Sequence, residues 1–288
     1  VPGVDKAGGF TLTCPPSAAL ASPTTGHDGG GGGSGGSCDE ERHPQPYLEL
    51  AVQASPENPA AAWLWRPARQ ILGETLRVRI GGAFVFPPPP TMDDNGRGDS
   101  LRGVRRLVLV AGGVGVNPLV SMLGHLANTP ALAERLEVQM VYASKGPRGR
   151  SDDGDIIEQE EEALLRDVVF LDRITTIFGQ RRVRGSLSLY ITSQDRSPSR
   201  SSSSPSSSSS SSPTTKTLQL NAATVLRHSR RVAIDDVTAV IGTSEDEVRS
   251  SLVYICGPPA MTDEFHAALT SGDGFAMDVN RIMAEKWW

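Results

Sequence analysis

The stretch Arg105-Arg106-Leu107-Val108-Leu109-Val110-Ala111-Gly112-Gly113-Val114-Gly115-Val116-Asn117-Pro118 constrains the fold more than any other part of the chain. Leu107 to Ala111 is a short, wholly apolar run, as expected of a strand buried on both faces of a parallel sheet. Glycines follow at once, where a backbone turns sharply and lets another group come close. Asn117 is placed to cap the next helix, and Pro118 suits its first turn, where a missing N–H costs nothing. Leu119, Val120, Leu123 and Leu126 then give that helix an apolar face. Strand, glycine turn and helix N-terminus together present free N–H groups and a positive dipole end to an anion. A dinucleotide diphosphate is the ligand this arrangement suits.

The spacing is Gly113-x-Gly115-x-x-Pro118, so proline stands where the usual dinucleotide fingerprint has its third glycine. The next strand, Leu136 to Tyr142, ends without the acidic residue that would hold an NAD ribose. Ser144, Lys145, Arg148 and Arg150 follow instead. Lys145, Arg148 and Arg150 could meet a 2′-phosphate and favour NADPH, or simply form a solvated loop. A tight connection with no ligand is the plainer alternative for the glycine turn itself.

At 288 residues the chain has room for about two domains. Its formal net charge of −5 gives no reason to expect nucleic acid or an anionic membrane as partner. No apolar run approaches the roughly 20 residues of a membrane span. Cys14, Cys38 and Cys256 lie far apart without metal spacing, which points to a reducing compartment without structural disulfides. The first residue is Val1 rather than Met, so a leader or a true N-terminal segment is expected to be missing from the sequence.

Two low-complexity tracts, Gly26 to Gly36 and Ser197 to Pro213, bury too little apolar surface to offset their ordering entropy and are expected to be disordered inserts. Before the first landmark, Tyr47 to Val52, Glu74 to Ile80 and Ala83 to Phe86 read as strands, with a helix from Asn58 to Trp65. Pro87 to Leu101 reads as a linker. After it, strand and helix alternate. Val138 to Tyr142 is a strand, Ile156 to Leu165 a helix behind Ser151-Asp152-Asp153, and Val168 to Ile177, rich in β-branched residues, a strand. Ile234 to Ile241 is a helix, Ser251 to Cys256 a buried strand, and Met261 to Leu269 a helix. The fold class expected is an α/β domain, a parallel sheet with helices on both faces, over 101–288. Before it, over 1–100, stands a partial antiparallel β-barrel of flavin-binding type.

Cys256-Gly257-Pro258-Pro259-Ala260-Met261, after the strand Leu252 to Ile255, resembles the CGPxxM element of the ferredoxin–NADP reductase-type flavoproteins. The stretch Ala111 to Pro118 resembles their GGxGIxP element, and Glu285-Lys286-Trp287-Trp288 their acidic-then-aromatic terminus. Three landmarks in the right order, roughly 140 residues separating the first two, make the signal specific. The resemblance is closest to mitochondrial members carrying an oxidoreductase NAD-binding domain, and covers all but the two tracts.

This resemblance implies that Gly112, Gly113, Gly115 and Pro118 wrap the diphosphate of NAD(P). It sets Cys256 beside the nicotinamide, with Gly257, Pro258 and Met261 shaping that turn. Glu285 would assist proton traffic, and Trp287 or Trp288 would stack on a cofactor ring. A buried core cysteine, an exposed terminal acid and core-packed indoles are the plainer alternatives. For FAD, Gly8 to Pro15 resembles the RxYS segment: Phe10 takes the stacking tyrosine's place, and Thr11 supplies the hydroxyl near flavin N5. Gly8 replaces the arginine that grips the flavin diphosphate, and Asn58-Pro59-Ala60-Ala61-Ala62 lacks the usual Ser or Thr, though its helix N–H groups could hold an anion.

Only nine residues precede Phe10, where the family has several barrel strands, so the chain is either a fragment or a degenerate reader of nucleotides. The resemblance implies hydride transfer between NAD(P)H and flavin, with electrons passing to an unknown acceptor, in the mitochondrion. The rival reading is a non-catalytic NAD(P)-binding module whose flavin half has decayed.

Overall fold

A computed structural model describes residues 1–20, 45–90, 99–146, 165–192, 215–272 and 275–287. Two short helices come first, α1 (Pro59–Leu64) and α2 (Ala68–Ile71). The α/β part then runs β1 (Arg106–Gly112), α3 (Val116–Ala127), α4 (Pro130–Arg135), β2 (Glu137–Lys145), α5 (Leu171–Gly179) and β3 (Arg184–Thr192). It continues with β4 (Thr215–Leu220), β5 (Ala223–His228), α6 (Ile234–Ile241), α7 (Glu245–Arg249), β6 (Ser251–Gly257), α8 (Pro259–Thr270) and β7 (Ile282–Lys286).

The strands form one seven-stranded sheet in the order β4-β5-β3-β2-β1-β6-β7. Every neighbouring pair is parallel except the β4–β5 edge hairpin. Alternate side chains of a strand point to opposite faces, and β1 is apolar on both. Leu107, Leu109 and Ala111 join a core with Leu119, Leu123 and Leu126 of α3 and Ile174 of α5. Val108 and Val110 join a second core with Val237 and Ile241 of α6 and Phe265 and Leu269 of α8. Helices therefore cover both faces, as a parallel sheet requires, and the expected α/β architecture is the observed one.

Three expectations need correction. First, Val168 to Ile177 is not a strand, for α5 spans Leu171–Gly179. Leu171, Ile174, Thr175, Ile177 and Phe178 are its buried residues, with 171, 174, 175 and 178 at helical spacing, and this period outweighs the β-branched composition. Second, the partial barrel is not formed among the described residues. Tyr47 to Val52, Glu74 to Ile80 and Ala83 to Phe86 hold no ladder; the contact of strand type there is an isolated antiparallel bridge, Leu12–Leu50. A strand without a partner leaves its amides and apolar face to water, and Val78 and Ile80 are 63% and 71% exposed. Third, Asn117 does not cap α3, since the helix starts at Val116 behind Gly115. Most of the Ile156 to Leu165 helix, both low-complexity tracts, Arg148 and Arg150 lie outside the described residues.

Candidate functional site

β1 pairs with β2 on one side and β6 on the other, and the direction in which the strands are added reverses there. The chain leaves β1 into α3 on one face of the sheet and leaves β6 into α8 on the other. Such a switch point opens a crevice at the carboxyl ends of the strands, the usual ligand position in open α/β sheets. Both glycine landmarks lie at its rim. In register, Ala111 of β1 is beside Cys256 of β6, and Cys256 beside Glu285 of β7.

The glycines have distinct reasons to be glycine. A Cβ on Gly115 would stand 2.0 Å from the backbone oxygen of Cys256, so the two turns touch main chain to main chain. Gly112 would meet Pro258 Cδ at 2.8 Å and Met261 Cε at 2.9 Å, and Gly257 would meet Met261 Cε at 2.3 Å. Those three serve the packing of one turn on the other. Gly113 differs: its φ of +56° is left-handed, and what lies over it is the Trp287 ring, with Cζ2 3.1 Å from an added Cβ. The indole Nε1–H donates to Gly112 O at 2.9 Å, and the Trp287 backbone N–H to Gly257 O at 3.2 Å. A flat ring thus lies on the turn, held to both landmarks. Gly113–Gly115 forms a single 3₁₀ turn leading into α3, and the first N–H groups of such a helix lack partners within it.

Cys256 is 3% exposed. Burial, with the nearby Glu285 charge adding to it, pushes its thiol up to about 12. Near neutral pH the sulfur is protonated, not a thiolate nucleophile. Burial also raises the Glu285 carboxyl above the usual range, which favours its protonated form. Pro118 is buried in the first turn of α3, as expected. Ser144 and the exposed Lys145 end β2, two strands from Cys256. Trp288 lies outside the described residues.

Phe10 and Thr11 belong to the N-terminal part. The Phe10 ring packs at Gly8 beside α1: a Cβ on Gly8 would lie 2.7 Å from both Phe10 Cε2 and Ala60 Cβ. That space has no room for an arginine side chain. The amides expected to hold an anion at α1 are engaged, because Asn58 Oδ1 accepts from Ala60 N at 3.1 Å and Ala61 N at 3.3 Å.

Sequence reasoning missed the ties between this N-terminal strap (11–18 with 45–52) and the α/β part. Asn117 Nδ2 donates to Ala51 O at 2.9 Å, and Ser121 Oγ to Cys14 O at 2.7 Å. Arg173 makes two 2.7 Å bonds to the Glu49 carboxylate, which also accepts from Thr13 Oγ1 at 2.7 Å. These pairs are far apart in sequence, and no local pattern announces them. Between strap, α3 and α5 runs a groove of about 410 Å³. Its two arginines are already engaged, Arg173 by Glu49 and Arg182 by Ala127 O and Asn128 Oδ1. The switch point, not this groove, gathers the landmark residues.

Fold and turn together define an open, mostly parallel α/β protein with its two glycine landmarks at the β1–β6 switch point. No protein-family model matches the chain. Among curated proteins it is similar over its whole length to oxidoreductase NAD-binding domain-containing protein 1, in agreement with the resemblance read from the landmarks. It is 28% identical to that of Bos taurus and 26% to that of Homo sapiens, spanning 68% of each. It is 25% identical to that of Danio rerio, spanning 78%. Among solved structures, a flavohemoglobin from Malassezia yamatoensis with bound FAD and heme aligns with 65% of this chain and 32% of its own. Its TM-score is 0.35 at 13% identity. The flavohem-like FAD/NAD-binding domain of a Vibrio cholerae nitric oxide dioxygenase gives 0.32 at 14%, over 64% of this chain and 51% of its own. Likeness that slight has no bearing on function.

Proposed function

We propose that this chain binds a nicotinamide dinucleotide at the glycine turn and acts as an NAD(P)H-dependent oxidoreductase, passing hydride to a flavin and electrons onward to a separate acceptor. The observation that carries the reading is the Gly113–Gly115 turn and the N-terminus of α3 at the switch point, with the Trp287 ring lying on Gly113. An aromatic plane bonded to both landmarks offers a surface on which a flat ring can stack, and the turn's amides suit a diphosphate. The residues present therefore fit a dinucleotide, and the relatives' name supports the same ligand.

When bound, the dinucleotide supplies hydride chemistry. The protein's part is to bind, orient and keep water out. Gly113, Val114 and Gly115 present the anion-binding backbone, and Pro118 sits in the first turn of α3, where it has no N–H to satisfy. Gly112, Gly257, Pro258 and Met261 hold the two turns in contact. Cys256 is a protonated, buried wall of the site, and Glu285, its carboxyl pKa raised by burial, lies beside it in register. Lys145 and Ser144 are offered for a 2′-phosphate. FAD enters through Phe10 and Thr11, but the described residues give it no free helix amides at α1 and no barrel. Those two features favour the second reading, a dinucleotide-binding module without flavin turnover.

Calorimetric titration of NADH and NADPH into the folded chain tests the proposal. Binding near one equivalent supports it, and no heat with either nucleotide sinks it. The visible spectrum separates the readings, since bound flavin supports the enzyme and a colourless nucleotide-binding protein supports the module. Lys145→Ala is expected to weaken NADPH binding and spare NADH. A mitochondrial location belongs to the same proposal, and cell fractionation tests it.

A further inference from the structure

We infer that Asn117 is a positioning residue: its carboxamide fixes the N-terminal strap against the glycine turn and thereby sets where the dinucleotide lies. The inference rests on the dinucleotide reading above and assigns a residue that neither landmark accounts for. Asn117 is in the first turn of α3, directly after the Gly113–Gly115 turn, and is 7% exposed. Its Nδ2 donates to Ala51 O across the gap to the strap, which fixes the orientation of the amide. The other end of that amide, Oδ1, is buried without a hydrogen-bond partner.

A buried acceptor left unpaired costs about 1–3 kcal/mol. Its helix neighbours Val116, Leu119, Val120 and Leu123 are fully buried and apolar, so an apolar side chain would avoid that cost here. A polar group kept against the interest of stability signals a role other than stability. The strap as a whole is also held by Ser121 and Arg173, which tie it to α3 and α5 farther along, so only its seat beside the glycine turn rests on Asn117. What distinguishes Asn117 from those ties is its place beside the turn. Through the Leu12–Leu50 bridge the residue it grips adjoins the segment that carries Phe10 and Thr11. The two halves of the molecule are thus registered at the point where ligand and strap would meet.

The test compares the wild-type chain, Asn117→Ala and Ser121→Ala by NADH and NADPH calorimetry, thermal unfolding and amide hydrogen exchange. Asn117→Leu repeats the measurement in case the alanine void perturbs folding. Asn117→Ala is expected to weaken dinucleotide binding about tenfold, with a Tm no lower than wild type and faster exchange at residues 113–115. Ser121→Ala removes a similar strap bond one turn away and is expected to leave both affinity and exchange at the glycine turn unchanged. Unchanged affinity in both Asn117 variants overturns the inference, as does equal weakening by Ser121→Ala. Folded wild type that binds neither nucleotide overturns the dinucleotide reading instead; faster exchange at 113–115 in Asn117→Ala would still report the strap–turn coupling, and its absence would dispose of that too.

Discussion

Gly115 and Gly113 stand two residues apart and are glycine for different reasons, so the same substitution should separate them. Gly115→Ala drives a methyl into the Cys256 backbone oxygen, which cannot swing aside as a side chain can. It is expected to cost at least the upper part of the about 1–3 kcal/mol typical of overpacking, measured by thermal unfolding. Gly113→Ala meets the Trp287 ring and a left-handed φ, expected to cost about 1–2 kcal/mol and to disturb dinucleotide binding more than the fold. Cys256 yields another residue-scale test. With its thiol pushed up to about 12 by burial, it should resist alkylation near neutral pH in the folded protein and react once denaturant exposes it. Peptide mapping showing rapid labelling of native Cys256 would contradict the inert, buried wall described here.

At the scale of elements, the strap owes its place to a few polar ties rather than a sheet. The Arg173 guanidinium, with Thr13 helping against some desolvation, holds the Glu49 carboxyl below its usual 4.5. A carboxyl depressed in the folded state stabilises the fold above its ordinary pKa, and that contribution is lost as pH falls from there through the lowered value. The pair is about a third exposed, so solvent screening keeps its contribution small. Arg173→Met should therefore raise the Glu49 pKa, read by NMR titration, and flatten the loss of stability on acidification below 4.5. Glu285 behaves oppositely. Burial raises its pKa, so its folded form prefers the proton, and it weakens the fold as pH rises from the ordinary carboxyl range through the raised value. Glu285→Gln should remove that dependence, visible in unfolding curves across the same pH range.

For the molecule as a whole, stability is expected to centre on the middle of the sheet. Leu107 to Val110 of β1 and Val253 to Ile255 of β6 are fully buried, whereas the stretch 72–83 is exposed on both sides. Native-state hydrogen exchange should find the strongest protection in β1 and β6 and almost none at 74–80. Comparable protection at 74–80 would mean that this stretch is paired in solution. Among the described residues no helix is long and apolar enough to cross a membrane.

The letters alone determined the central βα unit, both glycine landmarks and most helices after residue 230, because these depend on near-neighbour signals. An apolar run, a glycine and a helical period each act within a few residues. Tertiary structure decided what such signals cannot reach. In α5 the β-branched stretch turned helical because one face could pack on the sheet. At Glu74 to Ile80 an alternating pattern formed no ladder, since pairing needs a second strand at the right distance. Asn117 gave up its expected cap to reach Ala51, and Trp287 came to rest on Gly113, 174 residues away in sequence. Long-range contacts settle where a side chain spends its hydrogen bonds, and only the folded chain brings the partners within range.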